Sequence, residues 1–265
     1  ARYPQGIEFL FIGSEGTFES NAMSAAGIPV KYVLYGKMRR YFSLLNYLDA
    51  FKLPIGFVQA LWHLLWFMPD VVFSKGGAAS VPVVLAARLY RIPVLIHDSD
   101  SVAGRANVFL RNFVQKIAIA YPSAAQFFPA DKTILTGNPV RTEVYSGSVE
   151  SARAIFSLAP EKKTILIVGG SQGARGLNIA VLRILPALLT KGIQVIHQVG
   201  NQNIGDVSAL AAELGVPLQG GDYHPVPFLD PQAIGDAYAA ADLVISRAGA
   251  GSIAEIAANK KALIL

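Results

Sequence analysis

The residues with most chemistry in their spacing are Gly169-Gly170-Ser171-Gln172-Gly173-Ala174-Arg175. They follow the apolar run Thr164-Ile165-Leu166-Ile167-Val168 and precede a helix-like stretch from Gly176 to Leu189. A buried strand that ends in a glycine-rich turn and opens a helix suits an anion. Glycines let backbone N–H groups approach closely, and the helix start adds unpaired donors and a partial positive charge. A ligand carrying a phosphate or diphosphate is expected here. The spacing is neither Gly-x-Gly-x-x-Gly nor Gly-Lys-Ser/Thr, so the dinucleotide and P-loop fingerprints do not fit. Taken alone, such a turn is also compatible with a tight connection that binds nothing.

Further constellations repeat this logic. Loop 74–82, Ser-Lys-Gly-Gly-Ala-Ala-Ser-Val-Pro, follows Val71-Val72-Phe73 and is a second glycine turn at a helix start. Ser246-Arg247-Ala248-Gly249-Ala250-Gly251-Ser252 follows Leu243-Val244-Ile245 and is a third. Glu255 lies one turn into the helix that follows, where a carboxylate can accept two ribose hydroxyls or simply favour the helix dipole. In Gly137-Asn138-Pro139-Val140-Arg141, Pro139 restricts Asn138 to extended geometry, and Arg141 follows with a planar, permanent charge suited to a diphosphate. A plain surface arginine is the other reading. His97-Asp98-Ser99-Asp100-Ser101 gathers polar groups after Val94-Leu95-Ile96. It supplies too few oxygen ligands for a cation site, and Asp100 or Ser101 can cap a helix near Val102. Neither a metal nor a cofactor is expected.

Residues 37–67 differ in kind. Lys37, Arg39 and Arg40 precede an aromatic-rich stretch with Phe57, Leu61, Trp62, Leu65 and Trp66. Basic residues beside such amphipathic helices describe attachment to an anionic lipid surface. The alternative is a pair of core helices. The apolar block, interrupted by Pro54 and His63, is too short to span a bilayer.

These residues must be positioned by a scaffold. The chain has 265 residues, 52% hydrophobic and 15% charged, enough for two well-cored domains. The net charge of +5 suits an anionic partner, but no basic run interleaves with aromatics as a nucleic-acid groove requires. With no cysteine, disulfides and thiolate metal sites are excluded. Strands are predicted at 7–12, 30–34, 70–74, 93–97, 116–120, 133–136, 164–168, 193–199, 243–246 and 262–265, with helices at 15–26, 40–50, 54–67, 78–90, 102–112, 123–127, 150–156, 174–190, 204–213, 231–240 and 251–259. Continuous apolar strands alternating with helices predict α/β architecture with parallel, doubly wound sheets, whose ligands bind beyond the strands' carboxyl ends. Weaker patterning from Ser146 to Lys163 places a boundary between domains 1–145 and 146–265. A strand starting at Ile7 and another beginning at Ala262 give the expectation of a chain cut at both ends.

The sequence resembles the MurG family, the UDP-N-acetylglucosamine:lipid-linked N-acetylmuramyl-pentapeptide transferases of bacterial peptidoglycan synthesis. The resemblance rests on Pro69-Asp70-Val71-Val72, Gly76-Gly77 with Pro82, Ile92-Pro93-Val94 leading to His97, and Ala103-Gly104-Arg105-Ala106-Asn107. It continues through Gly137-Asn138-Pro139-Val140-Arg141, Gly169 to Arg175 with Asn178, and Ser246-Arg247-Ala248-Gly249 with Ser252 and Glu255-Ile256-Ala257-Ala258. The resemblance implies a GT-B glycosyltransferase of two Rossmann-like domains facing a cleft. It implies an inverting hexosyltransferase that moves N-acetylglucosamine from UDP-N-acetylglucosamine to the muramyl 4-hydroxyl of an undecaprenyl-diphosphate-linked acceptor (lipid I). Such an enzyme works in cell wall biogenesis, cell shape and division, as a peripheral protein on the cytoplasmic face of the cell membrane. Another GT-B transferase acting on a glycolipid, or a UDP-sugar epimerase, is the alternative.

By the same resemblance, Ser171, Gln172 and Gly173 hold the donor diphosphate, with Arg141, Arg247 and Gly249 nearby; Leu229 contacts uracil through its backbone; Glu255 binds the ribose hydroxyls. Asp100 stands where the family often has the asparagine of His-Glu-Gln-Asn, a donor-sugar contact. Gly76, Gly77 and Ser80 match the acceptor-diphosphate loop; Arg39, Arg40, Phe57, Leu61, Trp62, Leu65 and Trp66 match the membrane surface. The family's proposed histidine base belongs to a loop expected before Ala1, and its donor-sugar glutamine to one expected after Leu265, so this chain alone is expected to be inactive.

Overall fold

The computed structural model describes residues 6–36, 45–170, 173–218 and 220–265, with the backbone alone for 45–51. The chain divides into two units, Ala1–Gly137 and Asn138–Leu265. The division falls earlier than the weak patterning at Ser146 placed it. The segment between is claimed by the second unit's core: Val144 is fully buried there, and Gly147 lies so close to Gly235 that a side chain would meet its carbonyl.

In the first unit, β1 (Phe11–Gly13) and β2 (Val30–Tyr32) pair in parallel, with α1 (Phe18–Ala25) between them in sequence. A long helix, α2 (Leu45–Phe67), follows. Then β3 (Val72–Ser74), α3 (Ser80–Leu89), β4 (Val94–Asp98), α4 (Arg105–Leu110), β5 (Lys116–Ile119), a 3-10 turn (Pro122–Phe127) and β6 (Thr133–Leu135) build a parallel sheet of order β3-β4-β5-β6. Its core joins Ile96, Ile117 and Ile119 to Val84 and Ala87 of α3 and Ala60 and Leu64 of α2. The expected break at Pro54 does not occur, because α2 runs through it. A proline removes one backbone donor, but burial of Ala60 and Leu64 holds the helix against the core. Helix α2 also satisfies chain at the end of β2: Gln59 Oε1 accepts from Leu34 N (2.7 Å), and His63 Nε2 donates to Tyr32 O (3.2 Å). Gly56 makes room for this, since a Cβ there would strike Leu34 O.

The second unit runs α5 (Thr142–Tyr145), α6 (Val149–Phe156), β7 (Thr164–Val168), α7 (Arg175–Thr190), β8 (Gln194–Gln198), α8 (Ile204–Glu213), β9 (Tyr223–Val226), α9 (Pro231–Ala240), β10 (Leu243–Ser246), α10 (Ala250–Ala258) and β11 (Ala262–Ile264). Its parallel sheet has order β11-β10-β7-β8-β9. Every residue of β7 and β8 is buried, as expected of central strands covered on both faces. Strand β9 and helix α5 were not anticipated from the sequence. The former carries Pro225, which an edge strand tolerates, and the latter is a single turn.

Candidate active site

The order of the second sheet decides where a ligand goes. From β7 the chain moves outward through β8 and β9, then returns to lay β10 on the other side of β7. The direction of winding reverses between β7 and β10, and the carboxyl ends at such a switch point open the crevice where doubly wound sheets bind ligands. Both glycine turns of this unit lie there. Ser246 is in register with Val168, and its hydroxyl donates to Val168 O (3.1 Å), so the turns after β10 and β7 start side by side.

The two ends of the turn after β7 are closely held. Gly170 and Gly173 have φ of +88° and +75°, left-handed values that disfavour any side chain. Gly170 O accepts from Gly173 N (2.9 Å) and from Gln198 Nε2 (3.1 Å). A Cβ on Gly173 would collide with Val199 O, so the turn is pressed against the end of β8. Ser171 and Gln172 lie outside the described residues. Ala174 caps α7 without a side-chain partner, and among the described residues nothing else caps the helix-start donors. Gly249 caps α10 in the same way, and Arg247 beside it is exposed.

Arg141 and Glu255, far apart in sequence, meet. The Arg141 guanidinium donates to Glu255 Oε1 at 3.5 Å, and the Tyr238 hydroxyl to Glu255 Oε2 at 3.4 Å. The arginine side chain is 58% exposed and the glutamate 23%, so the carboxylate is open enough for a ligand and loosely held. Burial, with Glu255 beside it, pushes the Tyr238 hydroxyl up and keeps it a neutral donor. No sequence signal marked Tyr238, which reads as an aromatic core position. Leu229 buries its side chain in the core, and its backbone makes no hydrogen bond among the described residues. Asp230 next to it caps α9, accepting from Gln232 N and Ala233 N.

In the first unit, Gly76 and Gly77 both have φ of +88° and lead into α3. Ser80 Oγ donates to Gly77 O (2.7 Å), tying the helix start to the turn. Among the described residues the N–H groups of Gly77, Ala78 and Ala79 have no protein acceptor. Gly76 sits on the buried amide of Asn107, whose Nδ2 donates to Asp98 Oδ2 (3.0 Å) and whose Oδ1 has no partner. Asp98 also accepts from Gly104 N (3.0 Å) and Asp100 N (3.2 Å), so its oxygens are committed to protein donors. Asp100 is exposed on the same loop.

Lys75 was not singled out by its sequence context. Its ammonium donates to Ser99 Oγ (2.6 Å) and His97 Nδ1 (3.1 Å). His97 Nε2 faces Gly137 O (3.0 Å), which can only accept, so the ring proton is on Nε2 and Nδ1 is the acceptor. Burial lowers the Lys75 pKa, opposed by the nearby Asp100 and Asp98 carboxylates.

The aromatic helix divides by face. Phe57 and Leu61, expected on the lipid-facing surface, are partly buried and pack against the core, at the helical spacing that leads to buried Leu64. Trp62, Leu65 and Trp66 are exposed, at 59%, 49% and 73%, and the tryptophan rings meet edge to face at 5.5 Å. Arg39 and Arg40 lie outside the described residues. No helix among the described residues is long and apolar enough to cross a membrane.

Comparison with known proteins matches both units of the chain. Residues 3–119 match the glycosyltransferase family 28 N-terminal domain, and residues 164–265 the glycosyltransferase family 28 C-terminal domain. A Bacillus cereus protein named UDP-N-acetylglucosamine--N-acetylmuramyl-(pentapeptide) pyrophosphoryl-undecaprenol N-acetylglucosamine transferase 2 is 37% identical over 261 residues, 98% of this chain and 71% of that one. The chain belongs to the MurG family. The crystal structure of Acinetobacter baumannii MurG superposes with a TM-score of 0.65 at 29% identity, over 96% of this chain and 67% of that one. The likeness therefore extends through both units, and the α/β fold is that of the GT-B MurG enzymes. A UDP-GlcNAc 2-epimerase from Neisseria meningitidis, crystallised with UDP-GlcNAc, has a TM-score of 0.60 over 97% of this chain and 73% of that one. At 15% identity it shares the fold alone, and sequence kinship separates the family from the epimerases.

Proposed function

We propose that this chain is part of an enzyme that transfers N-acetylglucosamine from UDP-N-acetylglucosamine to the muramyl 4-hydroxyl of an undecaprenyl-diphosphate-linked pentapeptide. The observation that carries the reading is the pair of glycine turns flanking the β7–β10 switch point in a member of this family. Donors at the start of α7, with Ser171, Gln172 and Gly173, take the UDP diphosphate. Arg141, Arg247 and Gly249 add charge and helix-start donors. The backbone of Leu229, without a partner among the described residues and pinned by its buried side chain, suits a uracil edge, and Glu255 suits ribose hydroxyls.

The acceptor hydroxyl oxygen bonds to the anomeric carbon and gives up its proton to a general base, as the bond from that carbon to the β-phosphate oxygen breaks. UDP leaves with the electron pair. Helix-start dipoles and the mobile charge of the exposed Arg141 guanidinium are available to stabilise the growing charge on the diphosphate. In this reading UDP-N-acetylglucosamine is the donor substrate and no separate cofactor takes part. The turn at Gly76, Gly77 and Ser80 receives the acceptor diphosphate through its open N–H groups, and Asp100 accepts from sugar hydroxyls.

Trp62, Leu65 and Trp66, with Arg39 and Arg40, hold the protein to an anionic membrane surface, peripherally and on the cytoplasmic face. A groove lined by Tyr32, Val58, Gln59, Trp62 and His63 continues this surface.

The test is calorimetric titration of the purified full-length protein with UDP, together with transfer of labelled N-acetylglucosamine to lipid I in anionic vesicles. UDP binding that Glu255→Gln weakens by about tenfold supports the donor site. Epimerised or hydrolysed sugar nucleotide with no labelled lipid overturns the transferase reading.

A further inference from the structure

Behind the turn after β7 lies a chain of buried polar side chains that the proposed chemistry does not use. We propose that Tyr223, His197 and Asn178 form a directed hydrogen-bond relay that positions this turn for the nucleotide diphosphate, with His197 as the positioning residue that sets the relay's direction. The inference rests on the donor-site reading above.

The end of β8 is the template for the turn. Ile167 and Val168 of β7 are in register with His197 and Gln198 of β8. Gln198 holds Gly170 O, and Val199 O forms the wall that Gly173 touches. That same carbonyl is fixed from two sides, by Asn178 Nδ2 and Asn203 Nδ2, each at 3.0 Å. Asn178 stands in the first turn of α7, so one side chain ties the helix that opens at the diphosphate to the strand that shapes the turn.

The donors and acceptors admit a single direction. Asn178 uses its NH₂ group on Val199 O, which leaves Oδ1 facing His197 Nε2 at 3.1 Å. An amide oxygen can only accept, so Nε2 carries the proton. Nδ1 is then a bare acceptor and takes the Tyr223 hydroxyl at 3.0 Å. The order is Tyr223 to His197 to Asn178 to Val199 O, each bond oriented by the one before. His197, Tyr223 and Asn178 are 0%, 1% and 2% exposed, among apolar neighbours such as Ile167, Val181 and Val195. Apolar side chains could fill this space without needing partners, whereas a satisfied buried network orients what it touches. Burial lowers the His197 pKa to about 4, so the ring stays neutral and Nδ1 stays an acceptor near neutral pH.

The test compares His197→Phe, Asn178→Leu and His197→Gln with Leu185→Ala, a cavity in the same core that leaves the relay intact. The readouts are UDP affinity by calorimetry, Tm, and KM for the donor against KM for the lipid acceptor. His197→Phe and Asn178→Leu are expected to weaken UDP binding by about tenfold or more, with acceptor KM unchanged. His197→Gln can accept from Tyr223 and donate to Asn178, and should recover most of that affinity. UDP affinity that merely follows Tm, as Leu185→Ala calibrates, overturns the proposal, and so does a glutamine variant no better than phenylalanine. If the unmodified protein binds no UDP, the donor-site reading falls and this inference falls with it. If it does bind UDP and the relay variants bind equally well, this inference alone fails.

Discussion

Gly76–Gly77 and Gly169–Gly173 each end a parallel strand and open a helix, yet the ground beneath them differs. The second turn rests on neutral groups: a backbone carbonyl clamped by two asparagines, a glutamine amide, and a histidine that burial keeps uncharged. The first rests on Asn107, which is bonded to the buried carboxylate of Asp98, with the Lys75 ammonium close by. A glycine turn with a neutral, fully satisfied base offers its helix-start field to an anion without opposition. One built over a carboxylate has that field partly cancelled, and a lysine offsets the loss. On the proposed reading, the same local motif gives two anion sites of different strength, and the difference lies in residues distant in sequence.

The sharpest way to break this comparison is to add a methyl group to each turn. Gly173→Ala forces a Cβ onto Val199 O at a left-handed φ, and is expected to weaken UDP binding by about a hundredfold, ~3 kcal/mol, in calorimetry. An unchanged affinity would mean that the turn does not depend on its contact with β8.

Acid should separate the two units next. His197 has a folded-state pKa of about 4 against an ordinary 6.5, so the unfolded chain binds its proton at higher pH than the folded chain does. Its contribution is fully present above pH 6.5 and is lost as the pH falls toward 4, to a total of about 3 kcal/mol. Hydrogen exchange at pH 7 and pH 4.5 should show the second unit loosening on acidification, and His197→Gln should abolish that part of the response.

The smallest effect belongs to Gly77→Ala. Its φ is also left-handed, but the space around it is open, so strain of about 1 kcal/mol should raise acceptor KM by less than tenfold. Gly76→Ala should be worse, since its Cβ would lie 2.8 Å from the Asn107 amide that holds Asp98. Equal effects at Gly76 and Gly77 would remove Asn107 from the account.

The parts of the fold that were legible are those whose signal is local. Strands β7 and β10 match the expected 164–168 and 243–246 because continuous apolar runs mark buried parallel strands. Strand β9 escaped notice because Tyr223-His224-Pro225-Val226 shows neither a run nor an alternation. The two tryptophans pointed to a surface, but the sequence did not say which residues share it. Only the rotation of α2 separates exposed Trp62, Leu65 and Trp66 from core-packed Phe57 and Leu61. The glycine turns, Arg141 and Glu255 stood out by residue type. Tyr238, Lys75 and the relay at His197 did not, since a buried tyrosine, a loop lysine and a strand histidine acquire meaning from their neighbours.

The order of amino acids was enough to determine alternating strands and helices, glycine-rich turns at their junctions and membership of the family. Hydrophobic periodicity and backbone permissiveness act over a few residues and can be read along the chain. The tertiary structure alone decided that the ends of β7 and β10 lie together, that Arg141 meets Glu255, and that Asn178, His197 and Tyr223 join beneath the turn after β7. Those contacts link residues from 19 to 114 positions apart, and they form only when burial of a shared core brings distant segments into register.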